Sequence, residues 1–276
     1  MSYGPKPWQQ LHWDARAAAN FMLGGAGSGL LVAWALAAST PGWQLYVLAG
    51  LALIGAGLGM VWLEIGRKLR ALHVFFNPNT SWMTREAIVA ILVFALGIAA
   101  LLLDLRPLGQ AAALGALGFL YCQARILRAS KGIPAWREPA VTAFIVTTAL
   151  AEGAGLFLAG TVFADTPPTL LALFALAVIA RALAWSRFRG RIGRSVPKPA
   201  LAALEPAGRA LVQLGTIAPL ALAVAALALP DIASVAGALA GIAALAAGWR
   251  VKFVLVTRAA FNQGFALPRL PVRGTR

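Results

Sequence analysis

The chain of 276 residues is unusually apolar, since 60% of its residues are hydrophobic and only 12% are charged. Soluble globular domains contain about 25% charged residues, so this composition excludes an ordinary soluble protein. The formal net charge of +15 suggests nucleic-acid binding at first sight. However, the cations are concentrated in the connections between apolar runs. We therefore predict an integral membrane protein that has the lipid bilayer, and no nucleic acid, as its partner.

Eight apolar segments are long enough to cross a bilayer, for which a helix needs roughly 20 residues. They cover residues 17–38, 43–63, 86–103, 107–127, 139–163, 168–185, 207–229 and 232–249. Turn residues separate them, as in STPGW, KGIPAWREP and DTPP. We predict an all-α polytopic membrane protein with eight transmembrane helices in a single domain, 1–276.

One longer connection lies at 186–206, and we predict two four-helix halves in the chain. Helices one to four would lie within 17–127 and helices five to eight within 139–249. The remaining residues, 250–276, would form a cytoplasmic tail.

The charges predict the orientation of the chain in the membrane. Of the 24 lysines and arginines, only Arg106 lies in the connections after the first, third, fifth and seventh segments. Cytoplasmic loops carry the excess of lysine and arginine in multi-pass proteins. We therefore place both termini in the cytoplasm and the chain in a bacterial inner membrane. The single cysteine, Cys122, excludes an internal disulfide.

Two pairs of glycines have the spacing GxxxG inside apolar segments. They are Gly25 with Gly29, and Gly55 with Gly59. Small residues at this spacing allow helix backbones to approach closely in a bilayer. The alternative is that the missing side chains leave room for a flat ligand.

The histidines argue against haem. A b-type haem in a membrane helix bundle requires two histidines that face each other at membrane depth. His12 precedes the first segment and His73 lies in a connection. We therefore predict no haem and no metal site, and hence no route for electrons across the bilayer within this chain.

Glu152 lies in the middle of the fifth segment, in TALAEGAGLF. An ionised side chain there costs about 2.5–3.5 kcal/mol on insertion scales, so Glu152 is expected to face the bundle interior or to be protonated. One interpretation is a neutral acid bonded to a backbone carbonyl. The other is the coupling acid of a small-molecule or ion transporter, although the paired broken helices typical of such proteins are not visible in the sequence.

Glu64 and Glu86 end the second segment and begin the third, so both are expected on the same side of the membrane. Aromatic and polar residues surround them, namely Trp62, His73, Phe75, Phe76, Asn77 and Trp82. A quinone has a flat ring and two carbonyl groups, and its reduction consumes two protons, which acids or histidines can deliver. We predict Glu64 as the proton-exchanging residue, assisted by His73 or Glu86. The alternative is a purely structural anchor, in which the acids pair with Arg67, Lys68 or Arg85.

Three stretches carry a resemblance to a known family. LEIGRKLRAL and SWMTREAI resemble the segment spanning helices two and three in membrane anchors of the dimethyl sulfoxide reductase type, a group that includes the polysulfide reductase anchors. ARILRASKGIPAWREP resembles the segment after helix four, and the likeness covers roughly 17–140. It implies about eight helices and a quinone, ubiquinone or menaquinone, bound without haem. It also implies an iron–sulfur subunit and a molybdopterin catalytic subunit as partners.

The resemblance also implies site residues. A family histidine that affects quinol binding falls on Glu64, which is followed by Gly66, Arg70 and Ala71, and the family's acid at the start of helix three falls on Glu86. The exchange of histidine for Glu64 leaves open whether the site oxidises quinol or reduces quinone. The full set of predicted quinone-binding residues is Asn20, Glu64, Gly66, Arg70, His73, Trp82, Arg85 and Glu86.

The basic connections predict that the partner subunits bind at the cytoplasmic face. The tail RAAFNQGFALPRLPVRG is similar to that of the anchor in phenylacetyl-CoA:acceptor oxidoreductases. This likeness suits oxidation of a cytoplasmic substrate with reduction of quinone. We therefore predict the quinone-binding anchor of a molybdenum- or tungsten-dependent oxidoreductase, not catalytic toward the main substrate on its own.

Overall fold

The computed structural model describes residues 6–37, 42–65, 68–162 and 167–264, with the backbone alone at 68–70. Long helices dominate this part of the chain. They are α1 (Ala15–Leu36), α2 (Trp43–Glu64), α3 (Trp82–Leu103), α4 (Arg106–Ala129), α5 (Ala140–Gly160), α6 (Pro168–Ile192), α7 (Lys198–Ala228) and α8 (Pro230–Arg258). A 3-10 segment, Lys68–Phe76, connects α2 to α3, and a short helix, Pro134–Arg137, precedes α5. Among the described residues, extended pairing is limited to one isolated bridge between Gln9 and Phe261.

Seven of these helices are long and apolar enough to cross a membrane. The prediction of an all-α, multi-pass membrane protein is thereby confirmed as far as the length and composition of the helices show it. The predicted fourth span corresponds to α4, which has 24 residues but is not among the seven. Gln110, Gln123 and the arginines of α4 lower its hydropathy.

Side-chain caps set the start of two helices near the predicted site. The carboxylate of Asp14 accepts a hydrogen bond from the Arg16 backbone nitrogen at 2.7 Å. Hydrogen bonds from Arg16 hold the pKa of Asp14 below its usual range. The Ser81 hydroxyl accepts from the Thr84 backbone nitrogen at 3.3 Å. Such caps satisfy amides that the first helical turn leaves without a partner, so α3 begins one turn before the apolar run does.

Helices α1 and α5 form the centre of the bundle. In each of them 67% of the most apolar stretch is buried, against 28–44% in the other five helices that are apolar enough to cross a membrane. They touch through small residues, because a Cβ on Gly29 would collide with the backbone of Ala149 and would reach the Cα of Gly153. Close helix packing, predicted from the GxxxG spacing, is therefore confirmed at Gly29. The outer helices turn large apolar side chains outward, as expected for contact with lipid, including Leu45, Leu102, Leu183 and Val224.

The predicted division into two halves is not confirmed by the residues that the structure describes. Each of the two apolar clusters in the core combines residues from helices before and after Pro139. The longer connection predicted at 186–206 is mostly helical, which corrects that prediction. Trp185, Phe188 and Ile192 lie on one buried face and carry α6 beyond its apolar stretch.

Two cations that we assigned to cytoplasmic connections are buried inside the bundle. Arg181 and Lys252 each expose 0% of their surface. Both lie within long helices, and carbonyl and carboxylate oxygens of the bundle interior accept hydrogen bonds from them. The connections therefore contain two fewer lysines and arginines than we predicted from the sequence.

Candidate functional site

A cavity of about 220 Å³ lies where α1 begins, α2 ends and α3 begins. It brings together three residues that the sequence predicted, Asn20, Glu64 and Glu86. Its remaining walls are largely apolar or aromatic: Trp13, Ala17, Phe21, Val61, Ile65, Met83 and Ile126. A polar centre with apolar walls is the usual composition of a small-molecule site.

A larger groove of about 570 Å³ adjoins this cavity. The two share Val61, Ile65, Met83 and Glu86 as lining residues. Apolar side chains from the end of α2, the 3-10 segment and α3 form the rest of the groove, together with Gly59. A Cβ on Gly59 would meet no atom within 4 Å, so this glycine contributes open space rather than close packing.

Glu86 lies between the cavity and the interior and exposes only 5% of its surface. The side chains of Asn20 and Gln123 lie beside its carboxyl group. Within the described part of the chain, one oxygen of each of these three side chains has no hydrogen-bond partner. Buried polar groups normally have such partners, so the three oxygens form a set of acceptors suited to a polar ligand or to water.

Two glycines make room for the amides beside Glu86. A Cβ on Gly24 would lie 2.7 Å from Nε2 of Gln123, and one on Gly57 would lie 3.2 Å from Oδ1 of Asn20. The Gln123 amide also donates to the Asn20 backbone carbonyl at 3.0 Å. The glycines of α1 and α2 therefore create the space in which this polar cluster forms.

Glu64 is half-buried at the last residue of α2, near the start of α1. The charges next to it are Asp14 and Arg16, which form an ion pair with each other at 2.8 Å, and Arg16 also donates to the Leu63 carbonyl at 3.3 Å. Among the side chains that the structure describes, neither Glu64 nor Glu86 has an ion-pair partner within 4.0 Å. Two further predicted quinone-binding residues cannot be placed in the site, because all of Gly66 and the side chain of Arg70 lie outside the described part of the chain.

The other predicted site residues lie outside the two cavities. His73 is exposed in the 3-10 segment and contacts the ring of Phe76 edge-on, with centroids 5.3 Å apart. The guanidinium carbons of Arg85 and Arg125 lie over the ring of Trp82, at 4.3 and 4.2 Å from its centroid. Arg85 also donates to two carbonyls of the preceding turn, at 2.9 and 2.7 Å. These three residues form the surface next to the cavity and not its lining.

A second polar cluster lies deep in the bundle and contacts α1 at Gly25. Nζ of Lys252 is 2.6 Å from a carboxylate oxygen of Glu152, and both side chains expose 0% of their surface. Arg181 donates to the Ala244 carbonyl at 2.8 Å and to the Gly215 carbonyl. Glu152 faces the interior, as predicted, but its partner is a lysine and not a backbone carbonyl.

Sequence reasoning missed Gln123, Lys252 and Arg16 as parts of these clusters. Gln123 carried a signal, because it is a polar residue inside a predicted span. Lys252 and Arg16 lie near the ends of apolar runs, where a cation is expected to reach the aqueous interface. Only the packing of α8 and α1 shows where these side chains point.

Comparison of the sequence with protein-family models and with curated proteins gives no match. The resemblance to anchors of the dimethyl sulfoxide reductase type therefore stays a prediction.

Proposed function

We propose that the chain is the quinone-binding membrane anchor of an oxidoreductase complex that contains molybdenum or tungsten. Electrons from an iron–sulfur partner subunit would enter the quinone pool at this site. The placement of Asn20, Glu64 and Glu86 in one cavity that adjoins an apolar groove carries the proposal.

The chemistry of the cavity supports a quinone as its ligand. A bound quinone accepts two electrons and two protons. The unpaired oxygens of Asn20 and Glu86, which line the cavity, can accept hydrogen bonds from the hydroxyl groups of the reduced ring, and the adjacent groove is apolar enough for an isoprenoid tail. Glu86 lies at the inner end of the cavity, and Glu64 lies beside Arg16. We assign Glu86 and Glu64 to hold and exchange protons at the ring.

We propose that α4 also crosses the membrane, giving eight spans with both termini in the cytoplasm of a bacterium. The cavity then opens near the cytoplasmic face, next to the basic connections that would contact the iron–sulfur and molybdopterin subunits. His73, on the exposed segment beside the groove, is proposed to assist proton transfer.

Binding of decylubiquinone to the purified full chain in nanodiscs tests the proposal. We expect Glu86→Gln and Asn20→Ala each to weaken binding by roughly tenfold, since each removes a hydrogen bond worth about 1 kcal/mol or more. Quenching of tryptophan fluorescence provides the measurement because Trp13 lines the cavity. Glu205→Gln is the matched control, as Glu205 is an exposed acid paired with Arg189 at 3.0 Å. Unchanged affinity in both cavity variants would contradict the site assignment.

Gly59→Leu is expected to fill the groove without straining the helix, because a side chain there enters open space. Binding of a long-tailed quinone should weaken several-fold, while binding of a quinone that lacks a tail should not change. Gly190→Leu is the control, since Gly190 also has no atom within 4 Å of a built Cβ and lies in α6. Equal losses for both quinones, or a loss in the control, would contradict the assignment of the groove to the tail.

A further inference from the structure

The N-terminal helix contains a π-helical turn, Asn20–Gly24, at the wall of the cavity. Such turns are rare, interrupt the regular ladder of backbone hydrogen bonds, and are frequent at functional sites. Asn20, the first residue of the turn, carries the amide that faces Glu86. The direction of this amide therefore depends on whatever fixes the turn.

Side chains from two other helices donate hydrogen bonds to carbonyls of the turn. Gln123 of α4 donates to the Asn20 carbonyl at 3.0 Å, and Lys252 of α8 donates to the Phe21 carbonyl at 2.9 Å. Gln123 belongs to the cavity cluster already described. Lys252 does not line the cavity, and the function proposed above leaves it without a role.

The position of the Lys252 ammonium is itself tightly determined. Glu152 holds it at 2.6 Å, and two glycines leave the space that the pair occupies. A Cβ on Gly25 would collide with Nζ of Lys252, and one on Gly248 would lie 2.5 Å from Oε1 of Glu152. A hydrogen bond from a charged donor contributes more than one between neutral groups, so the ammonium is a rigid support for the Phe21 carbonyl.

We propose that Lys252 is a positioning residue for the cavity. Glu152 orients its ammonium, the ammonium holds the Phe21 carbonyl, and the turn so fixed directs the Asn20 amide toward Glu86. Although the binding role of Asn20 rests on the function proposed above, the effect of Lys252 on the turn does not.

Hydrogen exchange without ligand tests the effect on the turn. The variant is Lys252→Met/Glu152→Leu, which removes both charges together so that neither is left buried alone. We expect amide exchange over residues 20–25 to become roughly tenfold faster, because the turn loses a charged hydrogen bond. Trp136→Phe is the matched control, since Trp136 is also buried and its Nε1 donates at 2.9 Å to the Leu255 carbonyl of another π-helical turn, Val254–Arg258. Unchanged exchange, or equal acceleration in the control, would overturn the proposal.

A double-mutant cycle then tests whether Lys252 acts through Asn20. In the native background, the paired variant should weaken decylubiquinone binding by roughly tenfold, whereas in an Asn20→Ala background it should have no further effect. Additive effects would show that Lys252 acts elsewhere and would overturn the proposed route. If the native chain binds no quinone, the function proposed above fails while the exchange measurement still decides the role of Lys252.

Discussion

The single substitution Lys252→Met is expected to destabilise the protein by about 3–5 kcal/mol, the usual cost of leaving one member of a buried ion pair without its partner. The Glu152 carboxylate would remain at 0% exposure with no counterion within hydrogen-bonding distance, and the Phe21 carbonyl would lose its donor. Thermal unfolding in detergent, followed by circular dichroism, measures the effect.

Adding Glu152→Leu to Lys252→Met is expected to restore most of the lost stability, because a buried pair replaced by apolar residues of similar volume is often as stable as the original. Arg189→Met is the control, as Arg189 belongs to an ion pair that is partly exposed. Such pairs contribute about 0–1 kcal/mol. A double variant no more stable than Lys252→Met would show that the charges themselves are required.

Substitution of Gly153 by leucine is expected to prevent the native packing of α1 against α5. Even a Cβ at this position would overlap the backbone of Gly29 and Leu30, which cannot rotate away as a side chain can. Overpacking ordinarily costs about 1–3 kcal/mol, and we expect the upper end or more where backbone is the obstacle. The measurement is the yield of folded, monodisperse protein by size-exclusion chromatography.

Gly190→Leu, which is the control for Gly59→Leu, is also the control for Gly153→Leu. A built Cβ at Gly190 has no neighbour within 4 Å, so we expect its yield to match the native protein. Native yield of Gly153→Leu would mean that α1 and α5 are farther apart than the structure has them.

The helices could be predicted because membrane spans need long apolar runs, and such runs can be recognised from the local sequence alone. Their ends were harder to predict. The start of α3 depends on Ser81 as a cap, and the length of α6 depends on Trp185, Phe188 and Ile192 sharing a buried face after the apolar run has ended. Hydropathy does not register either feature.

The site could be predicted in part for a similar reason. Glu64 and Glu86 end two consecutive antiparallel helices, so chain connectivity alone places them near each other. Gln123 joins them through the packing of α4 against α1, over 103 residues of separation from Asn20. The pairing of Glu152 with Lys252 likewise depends on helix directions that no local pattern specifies. His73 was predicted from its position beside these acids in the sequence, but it faces outward.

Photolabelling tests the central claim most directly, namely that the cavity of Asn20, Glu64 and Glu86 binds quinone. An azido-quinone would be irradiated with the full chain in its native membrane, and labelled peptides would be identified by mass spectrometry. We predict labels within 61–65 and 83–87, the α2 and α3 walls of the cavity, with loss of labelling on addition of unmodified quinone. Labelling confined to other helices, or labelling that unmodified quinone does not suppress, would contradict the account.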